Sequence, residues 1–425
     1  MDFALILIFI IGYTAIAFEH KLNVNKAAVA ILTGVTCWVL IAVNNLAVHT
    51  NPLEQLSFHL TGISEILFFL MGAMTIVELI DAHDGFEVVT SRINTTNKIK
   101  LLWIISFIAF FLSAILDNLT TSIVMVSLLR KLIEDKKDRM FFCGMVIIAA
   151  NAGGAFSPIG DVTTTMLWIG GQISSLNIMV KLFIPSLICI LVPLTILSFM
   201  MHGTVTRPVT NEAQSKTTST VTERNIVFLT GLFVFLFVPV FKSITHLPPY
   251  MGILFGLGIL WIVSEIIHYE KDEEDKHSLS VVHALRKIDM PSILFFLGIL
   301  LAVAALETAG HLTSLADFLN ENMKNESVIV MSTGLLSAVV DNVPLVAAAI
   351  NMYHFPMDDF FWEFLAYCAG TGGSILIIGS AAGVAVMGME KINFFWYLKK
   401  ISLLALLGYL AGAFAYIGLE YFFHL

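Results

Sequence analysis

The chain has 425 residues, of which 57% are hydrophobic and 13% are charged, and its formal net charge is -9. A soluble core cannot hide that much apolar surface, so the composition excludes a soluble globular protein and predicts an all-α polytopic membrane protein surrounded by lipid. The sequence offers no basic surface for nucleic acid, and its four cysteines lack metal-ligand spacing, so neither a nucleic-acid partner nor a resident cofactor is expected.

Apolar runs long enough to cross a bilayer recur along the whole chain. They predict ten crossings, at 3–18, 27–43, 63–80, 141–169, 178–201, 226–241, 250–268, 291–308, 361–388 and 401–423. Residues 44–61 are predicted to form a loop. The Ser/Thr-rich stretch 202–224 is predicted to be a cytoplasmic linker between an N-terminal membrane repeat, 1–201, and a C-terminal membrane repeat, 225–425.

The segment 101–129 is apolar, yet Lys and Arg residues flank it on both sides. A single crossing would place one of these cationic clusters outside, although Lys and Arg are normally retained in the cytoplasm. We therefore predict a re-entrant hairpin with Asp117 near its tip. A second hairpin is predicted at 327–350, entering from the outer side, with Asp341 near its turn.

This arrangement of crossings and hairpins puts both termini outside. Of the 23 Lys and Arg residues, only Lys181, Lys242 and Lys324 then lie away from the cytoplasmic loops. Such a one-sided distribution is typical of a correctly oriented membrane protein.

The second half of the sequence repeats the order of the first. The matching features are Ile66–Leu70 with Ile293–Leu297, Asp117 with Asp341, and Gly153–Gly154 with Gly372–Gly373, at separations of 227, 224 and 219 residues. Each unit holds five crossings, one of them broken by glycines, and one re-entrant hairpin. Because five is odd, the two units must be inserted in opposite orientations, which is the inverted-repeat plan of secondary transporters.

Polar side chains in the hairpins and broken helices are expected to face a common cavity near the midplane, because burying them in lipid is costly. The candidate cation- and proton-binding residues are Asp117, Asn118, Thr120, Thr121, Asn151, Ser157, Asp161, Thr163, Asp341, Asn342 and Ser374. Residues expected to break the helices and free backbone carbonyls are Gly153, Gly154, Pro158, Gly160, Gly372, Gly373 and Gly379. Glu65, near a span end, is the candidate for a proton path.

The chemistry of these residues favours a small hard cation. Carboxylate, carboxamide, hydroxyl and carbonyl oxygens suit alkali cations, and sodium is expected at Asp117, Asp161 and Asp341. The same carboxylates would repel a dicarboxylate, and no Lys or Arg lies within the hairpins or broken helices. Protons compete with a cation for carboxylates, so one site that holds either ion would exchange them.

The sequence resembles the NhaD-type sodium/proton antiporters of the ion transporter superfamily from about Glu65 to Met389. The residues that carry the resemblance are the strings Asp117-Asn118-Leu-Thr-Thr, Asn151-Ala-Gly-Gly-Ala-Phe-Ser-Pro-Ile-Gly-Asp161, Gly370-Thr-Gly-Gly-Ser374 and Ile378-Gly-Ser380. The resemblance implies sodium or lithium exchange for protons, pH homeostasis, a bacterial cytoplasmic membrane, and a homodimer in which a transport domain moves against a scaffold. It implies a carrier and not an enzyme.

Several alternatives stay open at this point. Relatives in the same superfamily carry arsenite or carboxylates, and fold alone does not select the substrate. An intramembrane aspartyl protease also uses two membrane aspartates, but its Gly-x-Gly-Asp string is replaced here by Pro158-Ile-Gly160-Asp161. Each aspartate could also serve only as a helix N-cap. His59 and His83 are possible remote pH sensors.

Overall fold

The structure is a computed structural model that describes residues 2–17, 24–44, 51–90, 93–208, 219–269, 271–323, 325–339 and 341–423. Helices dominate these ranges, and within them the only β pairing is an isolated bridge between Asn97 and Thr204. Eight helices of the described ranges are long and apolar enough to cross a membrane. The predicted class, an all-α polytopic membrane protein, is confirmed.

The first half of the chain forms nine helices within the described residues. They are α1 Asp2–Ala17, α2 Lys26–Asn44, α3 Pro52–Ala82, α4 Glu87–Thr90, α5 Lys98–Leu116, α6 Asn118–Leu132, α7 Lys136–Ala155, α8 Val162–Ile169 and α9 Ser175–Met200. The predicted loop at 44–61 is wrong from Pro52 onward, while residues 45–50 lie outside the described ranges. Helix α3 starts there because Asn51 caps its first turn and Pro52 supplies a helical φ at the first position.

The second half contributes the remaining described helices. They are α10 Val221–Thr245, α11 Pro249–Ile267, α12 Glu273–Ser278, α13 Val281–Lys287, α14 Met290–Thr308, α15 His311–Met323, α16 Glu326–Leu336, α17 Asn342–Met352, α18 Phe360–Gly372, α19 Ala381–Glu390, α20 Phe394–Lys400 and α21 Ser402–Phe423. The expected broken spans are seen as α7 followed by α8, and α18 followed by α19.

The long helices pack as two groups. In the first group α2 packs along α1 and α14, and α3 packs against α10, α11 and α14. In the second group α7 contacts α5, α6, α9 and α18, and α9 packs along α21. The two groups meet where α3 contacts α8 and where α14 contacts α17, so the short inner helices lie at the boundary between them.

The start of α5 and the end of α6 lie at the same end of the molecule. The residues before α5 and after α6 both bond to the segment 203–206: Val205 N donates to Thr96 O at 2.8 Å, and Glu134 N donates to Thr206 O at 2.9 Å. The chain reverses between them at Asp117, whose φ is 106°. This is the path that a hairpin requires, and its sidedness in the membrane stays a prediction.

The same contacts recur in the two halves. Ser113 Oγ donates to Ala150 O at 2.6 Å, and Ser337 Oγ donates to Ala369 O at 2.8 Å. The two serines are 224 residues apart and the two carbonyls 219, the offsets that relate the matching sequence motifs. Each predicted hairpin therefore bonds to its own broken helix through the same serine–carbonyl contact.

Cysteine labelling tests the predicted sidedness. A cysteine at Asn97 or Glu134 should react only with reagent supplied from the cytoplasm, because both positions flank the same hairpin. A cysteine at Asn51 or Asp358 should react only from outside. Labelling of positions 97 and 134 from opposite sides would show that 101–129 contains a true crossing and would remove the inverted-repeat topology.

Candidate functional site

Four short helices begin at one place between the two helix groups. Their N-cap side chains each accept a hydrogen bond from a backbone N–H of the first turn: Asp117 from Thr120 at 2.7 Å, Asp161 from Thr163 at 3.2 Å, Asp341 from Val343 at 3.1 Å and Ser380 from Gly383 at 3.1 Å. The capping role considered from the sequence is thus confirmed for all three aspartates. A helix N-terminus attracts anions, and at three of these four it is the chain's own carboxylate that fills the position.

The three aspartates also line one small cavity of about 30 Å³. The amides Asn118 and Asn342 line it as well. Its remaining wall comes from Lys26, Leu70, Met74, Leu119, Val162, Ser292, Phe295, Phe296, Val343 and Ala381. A cavity of this volume has room for a small ion or for one or two water molecules. We call this cavity the aspartate pocket.

Asp161 lies where the two halves of the chain meet. Its side chain is buried, and its Oδ2 accepts a hydrogen bond from Asn118 Nδ2 at 2.9 Å and from Asn342 Nδ2 at 3.4 Å. Asn118 follows the first chain reversal and Asn342 follows the second. One carboxylate therefore holds residues from both predicted hairpins, a contact that spacing alone could not establish.

Asn151 forms a second link between the halves, behind the pocket wall. Its Oδ1 accepts from Asn118 Nδ2 at 3.1 Å, and its Nδ2 donates to the hydroxyls of Ser374 and Ser380, each at 2.9 Å. The side chain is completely buried, so these bonds satisfy groups that water cannot reach. Asn151 and Ser374, both predicted as ligands, support the pocket without lining it.

The predicted threonine and serine ligands likewise lie outside the pocket lining. Thr120 Oγ1 donates to Asp117 Oδ2 at 2.8 Å, and Ser157 Oγ donates to Ala114 O at 2.5 Å. Thr163 contributes its backbone N–H to Asp161. Thr121 and Thr163 are buried and their hydroxyls have no hydrogen-bond partner, so these two predicted hydroxyls have unused capacity.

The carboxylates surround the pocket without forming a preassembled ion sphere. Within the described residues, no three His, Cys, Asp or Glu side chains are arranged to hold one metal ion.

Asp117 is held in a conformation that non-glycine residues rarely adopt, with φ 106° and ψ 159°. Such strain costs on the order of 1–3 kcal/mol and persists only where surrounding structure enforces it. Here the bonds from the Thr120 backbone and hydroxyl hold both carboxylate oxygens. The strained backbone places the Asp117 side chain at the pocket.

Two residues of the site were missed by sequence reasoning. Ser380 lies in one of the motifs that carry the resemblance but is not among the predicted ligands. The 219-residue offset makes it the counterpart of Asp161, and both residues are N-caps of inner half-helices. That offset could have identified it. Lys26 was assigned to a cytoplasmic loop, yet it lines the aspartate pocket, and no feature of its sequence neighbourhood indicated this.

The predicted helix-breaking glycines allow close backbone approach. A Cβ on Gly153 would lie 2.1 Å from Phe110 O, and one on Gly372 would lie 2.0 Å from Gly334 O. A Cβ would likewise lie 2.4 to 2.8 Å from the nearest backbone atom if it were added to Gly154, Gly160, Gly373 or Gly379. Pro158 lies in the non-helical turn between α7 and α8. Gly153, Gly160, Gly372 and Gly379 let each broken helix pack tightly on its predicted hairpin, whereas Gly154 and Gly373 let the turn of the same broken helix approach closely.

Glu65, the proposed proton-path residue, does not line the aspartate pocket. It lines a separate cavity of about 380 Å³, together with His59, Met166, Val303 and Ile350. This cavity lies between α3 and α14 of the first group and α8 and α17 of the second. The cavity lies along the boundary between the two helix groups. A role of Glu65 in proton access to the aspartate pocket therefore stays a prediction.

His83 and His268 pair at the ends of α3 and α11. Their Nε2 atoms are 3.2 Å apart and their rings are stacked, with centroids 5.0 Å apart. Burial lowers the pKa of His83 to about 4. Burial therefore disfavours protonation of His83 near neutral pH, which argues against a role as a sensor there.

Comparison with known proteins covers nearly the whole chain. Residues 6–362 match the family described as citrate transporter. Sodium/proton antiporter 1 of Arabidopsis thaliana is 50% identical over 99% of this chain and 73% of its own length, and Sodium/proton antiporter 2 of the same plant is 48% identical over 98% and 99%. The Na(+)/H(+) antiporter NhaD of Vibrio cholerae is 33% identical over 97% of this chain and 90% of its own.

Proposed function

We propose that this chain, which belongs to the citrate transporter family and to the NhaD-type sodium/proton antiporters, exchanges sodium for protons through the aspartate pocket. The observation that carries the proposal is the position of Asp161. Its carboxylate meets an amide from each predicted hairpin inside a cavity of about 30 Å³. A buried carboxylate in a space of that size can hold either a proton or a small dehydrated cation.

Exchange follows from what the two ions require of the same groups. A sodium ion binds ionised carboxylates and neutral oxygens, whereas a proton neutralises one carboxylate and leaves the amides as donors. In the arrangement described, Asn118 and Asn342 donate to Asp161 through their Nδ2 atoms. Sodium entry would turn these amides so that their oxygens face the ion. The pocket would then hold sodium or a proton, but never both stably.

The acidic lining of the aspartate pocket argues against the second candidate function, transport of arsenite or a carboxylate. The family description names citrate, but the plant and Vibrio cholerae relatives described above are named sodium/proton antiporters. The helix N-termini that would bind an anionic substrate are capped by Asp117, Asp161 and Asp341. Their negative charge would repel a carboxylate. Lithium, a smaller hard cation, meets the same requirements as sodium.

The proposal also covers the membrane, the orientation and the oligomeric state of the protein. We place the chain as a multi-pass protein in a bacterial cytoplasmic membrane, with both termini outside and as a homodimer. The boundary between the two helix groups would then be the surface along which the group bearing Asp117, Asp161 and Asp341 moves. Crosslinking in native membranes tests the dimer, and the cysteine labelling described above tests the orientation of the termini.

The pH dependence of sodium affinity tests the shared pocket. Because bound protons must leave the aspartates before sodium enters, the Km for sodium should fall as pH rises and then level off. Saturating sodium should restore most of the maximal rate at moderately low pH. Proton release driven by sodium or lithium in everted vesicles, scanned over pH, measures both constants. A constant Km with a falling maximal rate would reject the shared pocket and point to remote gating.

A further inference from the structure

Lys26 brings a positive charge to a pocket built for a cation. It is the first residue of α2, where the side chain of Asn25 accepts a hydrogen bond from Ala27 N at 2.8 Å. Among the described residues that line the aspartate pocket, Lys26 is the only basic one. Its Nζ lies 4.7 Å from the centroid of the Phe295 ring, and Phe295 lines the same pocket.

Lys26 and the three aspartates belong to different helix groups. Lys26 starts α2, which packs along α14, whereas Asp117, Asp161 and Asp341 begin α6, α8 and α17 of the second group. Ser292, near the start of α14, lines the pocket beside it. Lys26 and Ser292 therefore mark the side of the pocket toward the end of the molecule where α2 and α14 begin. The topology prediction assigns that end to the cytoplasm.

We infer that Lys26 tunes the ion affinity of the aspartate pocket from the cytoplasmic side, by opposing the binding of both sodium and protons. This inference rests on the proposed function. A long ammonium side chain at a helix end ordinarily extends into solvent. Here the face of Phe295 attracts the ammonium and keeps it at the pocket wall. The fixed charge weakens binding of any cation there and so favours release over retention.

The effect has a signature that a packing defect would not produce. Removing the charge strengthens sodium and proton binding together. At alkaline pH, where protons are absent from the pocket, the Km for sodium should fall. At acidic pH the stronger proton competition offsets the gain, so the Km should return toward that of the unmodified protein. Damage to packing would lower the maximal rate at every pH instead.

The test compares Lys26→Met with Lys26→Arg and Lys137→Met in everted vesicles, with sodium as the probe. Lys137 is exposed at the start of α7 and does not line the pocket, so it controls for loss of a surface charge. Because like charges lining one pocket repel each other, Lys26→Met should lower the alkaline Km on the order of tenfold. The pH at which Km levels off should rise by about one unit. Lys26→Arg and Lys137→Met should keep the original values.

Ser292→Lys supplies an independent test if Lys26→Met does not insert. It adds a second positive charge to the same wall and should raise the alkaline Km on the order of tenfold. An unchanged Km in Lys26→Met, or in Ser292→Lys, would overturn the inference. So would an equal change in Lys137→Met. These failures differ from failure of the proposed function, which would be seen as absent sodium-driven proton release in the unmodified protein.

Discussion

Asp161→Asn is expected to abolish sodium/proton exchange while leaving the protein inserted and folded. Asparagine keeps the size of the side chain and is as good an N-cap as aspartate, so the first turn of α8 should survive. What disappears is the charge. A charge about 4 Å from a cation at an effective dielectric constant of about 20 contributes on the order of 4 kcal/mol, equivalent to roughly a thousandfold in sodium affinity. Asp117→Asn and Asp341→Asn should behave alike.

A matched substitution separates capping from ion binding. Asp135 caps α7 by accepting a hydrogen bond from Asp138 N at 2.8 Å, and it is exposed and away from the pocket. Asp135→Asn should therefore transport normally. Sodium-dependent proton release in vesicles, normalised to the amount of inserted protein, is the measurement. Near-normal exchange by two of the three pocket variants would show that the aspartates serve only as helix caps.

Gly153→Ala is expected to destabilise the protein strongly. The added methyl group would stand 2.1 Å from the carbonyl oxygen of Phe110, a backbone atom that cannot move without displacing α5. Forcing such a contact apart should cost about 3 kcal/mol or more. Gly372→Ala should do the same in the second half, where Gly334 O lies 2.0 Å from the new atom. Both variants should show lower yields of inserted protein and lower unfolding temperatures in detergent.

Gly388→Ala is the control for this comparison. Gly388 is an exposed residue within α19, and a Cβ there has no atom within 4 Å. Alanine favours helix over glycine by up to about 1 kcal/mol, so this variant should be as stable as the unmodified protein or slightly more so. If Gly153→Ala unfolds at the same temperature as Gly388→Ala, the close packing of α5 on α7 does not limit stability.

Local signals explain how far the sequence alone could go. Asp117 and Asp161 stood out because carboxylates are costly in apolar sequence, and both are found at the aspartate pocket. The glycines marked the broken helices because they allow backbone contacts that a side chain would block. The predicted loop at 44–61 misses the start of α3, because the Asn51–Pro52 pair starts a helix there.

The division between candidate ligands and supporting residues could not be predicted in the same way. Thr120, Ser157 and Asn151 have the same chemistry as true pocket residues, and only their hydrogen bonds show that they hold neighbouring groups. Lys26 illustrates the converse case, because its sequence neighbourhood is that of an ordinary cytoplasmic loop. The position of each side chain depends on how helices far apart in sequence pack.

The sequence by itself determined the all-α membrane class, the helix breaks and the repeated order of motifs, because hydrophobicity, helix-breaking residues and buried charge are properties of short stretches. Only the tertiary structure decided that Asn118 and Asn342 meet at Asp161, that Ser380 and Ser374 bond to Asn151, and that Lys26 closes one wall of the pocket. The hydrogen bonds among these contacts join residues 43 to 229 positions apart in the chain, and they exist only because two groups of helices pack around the same four helix ends.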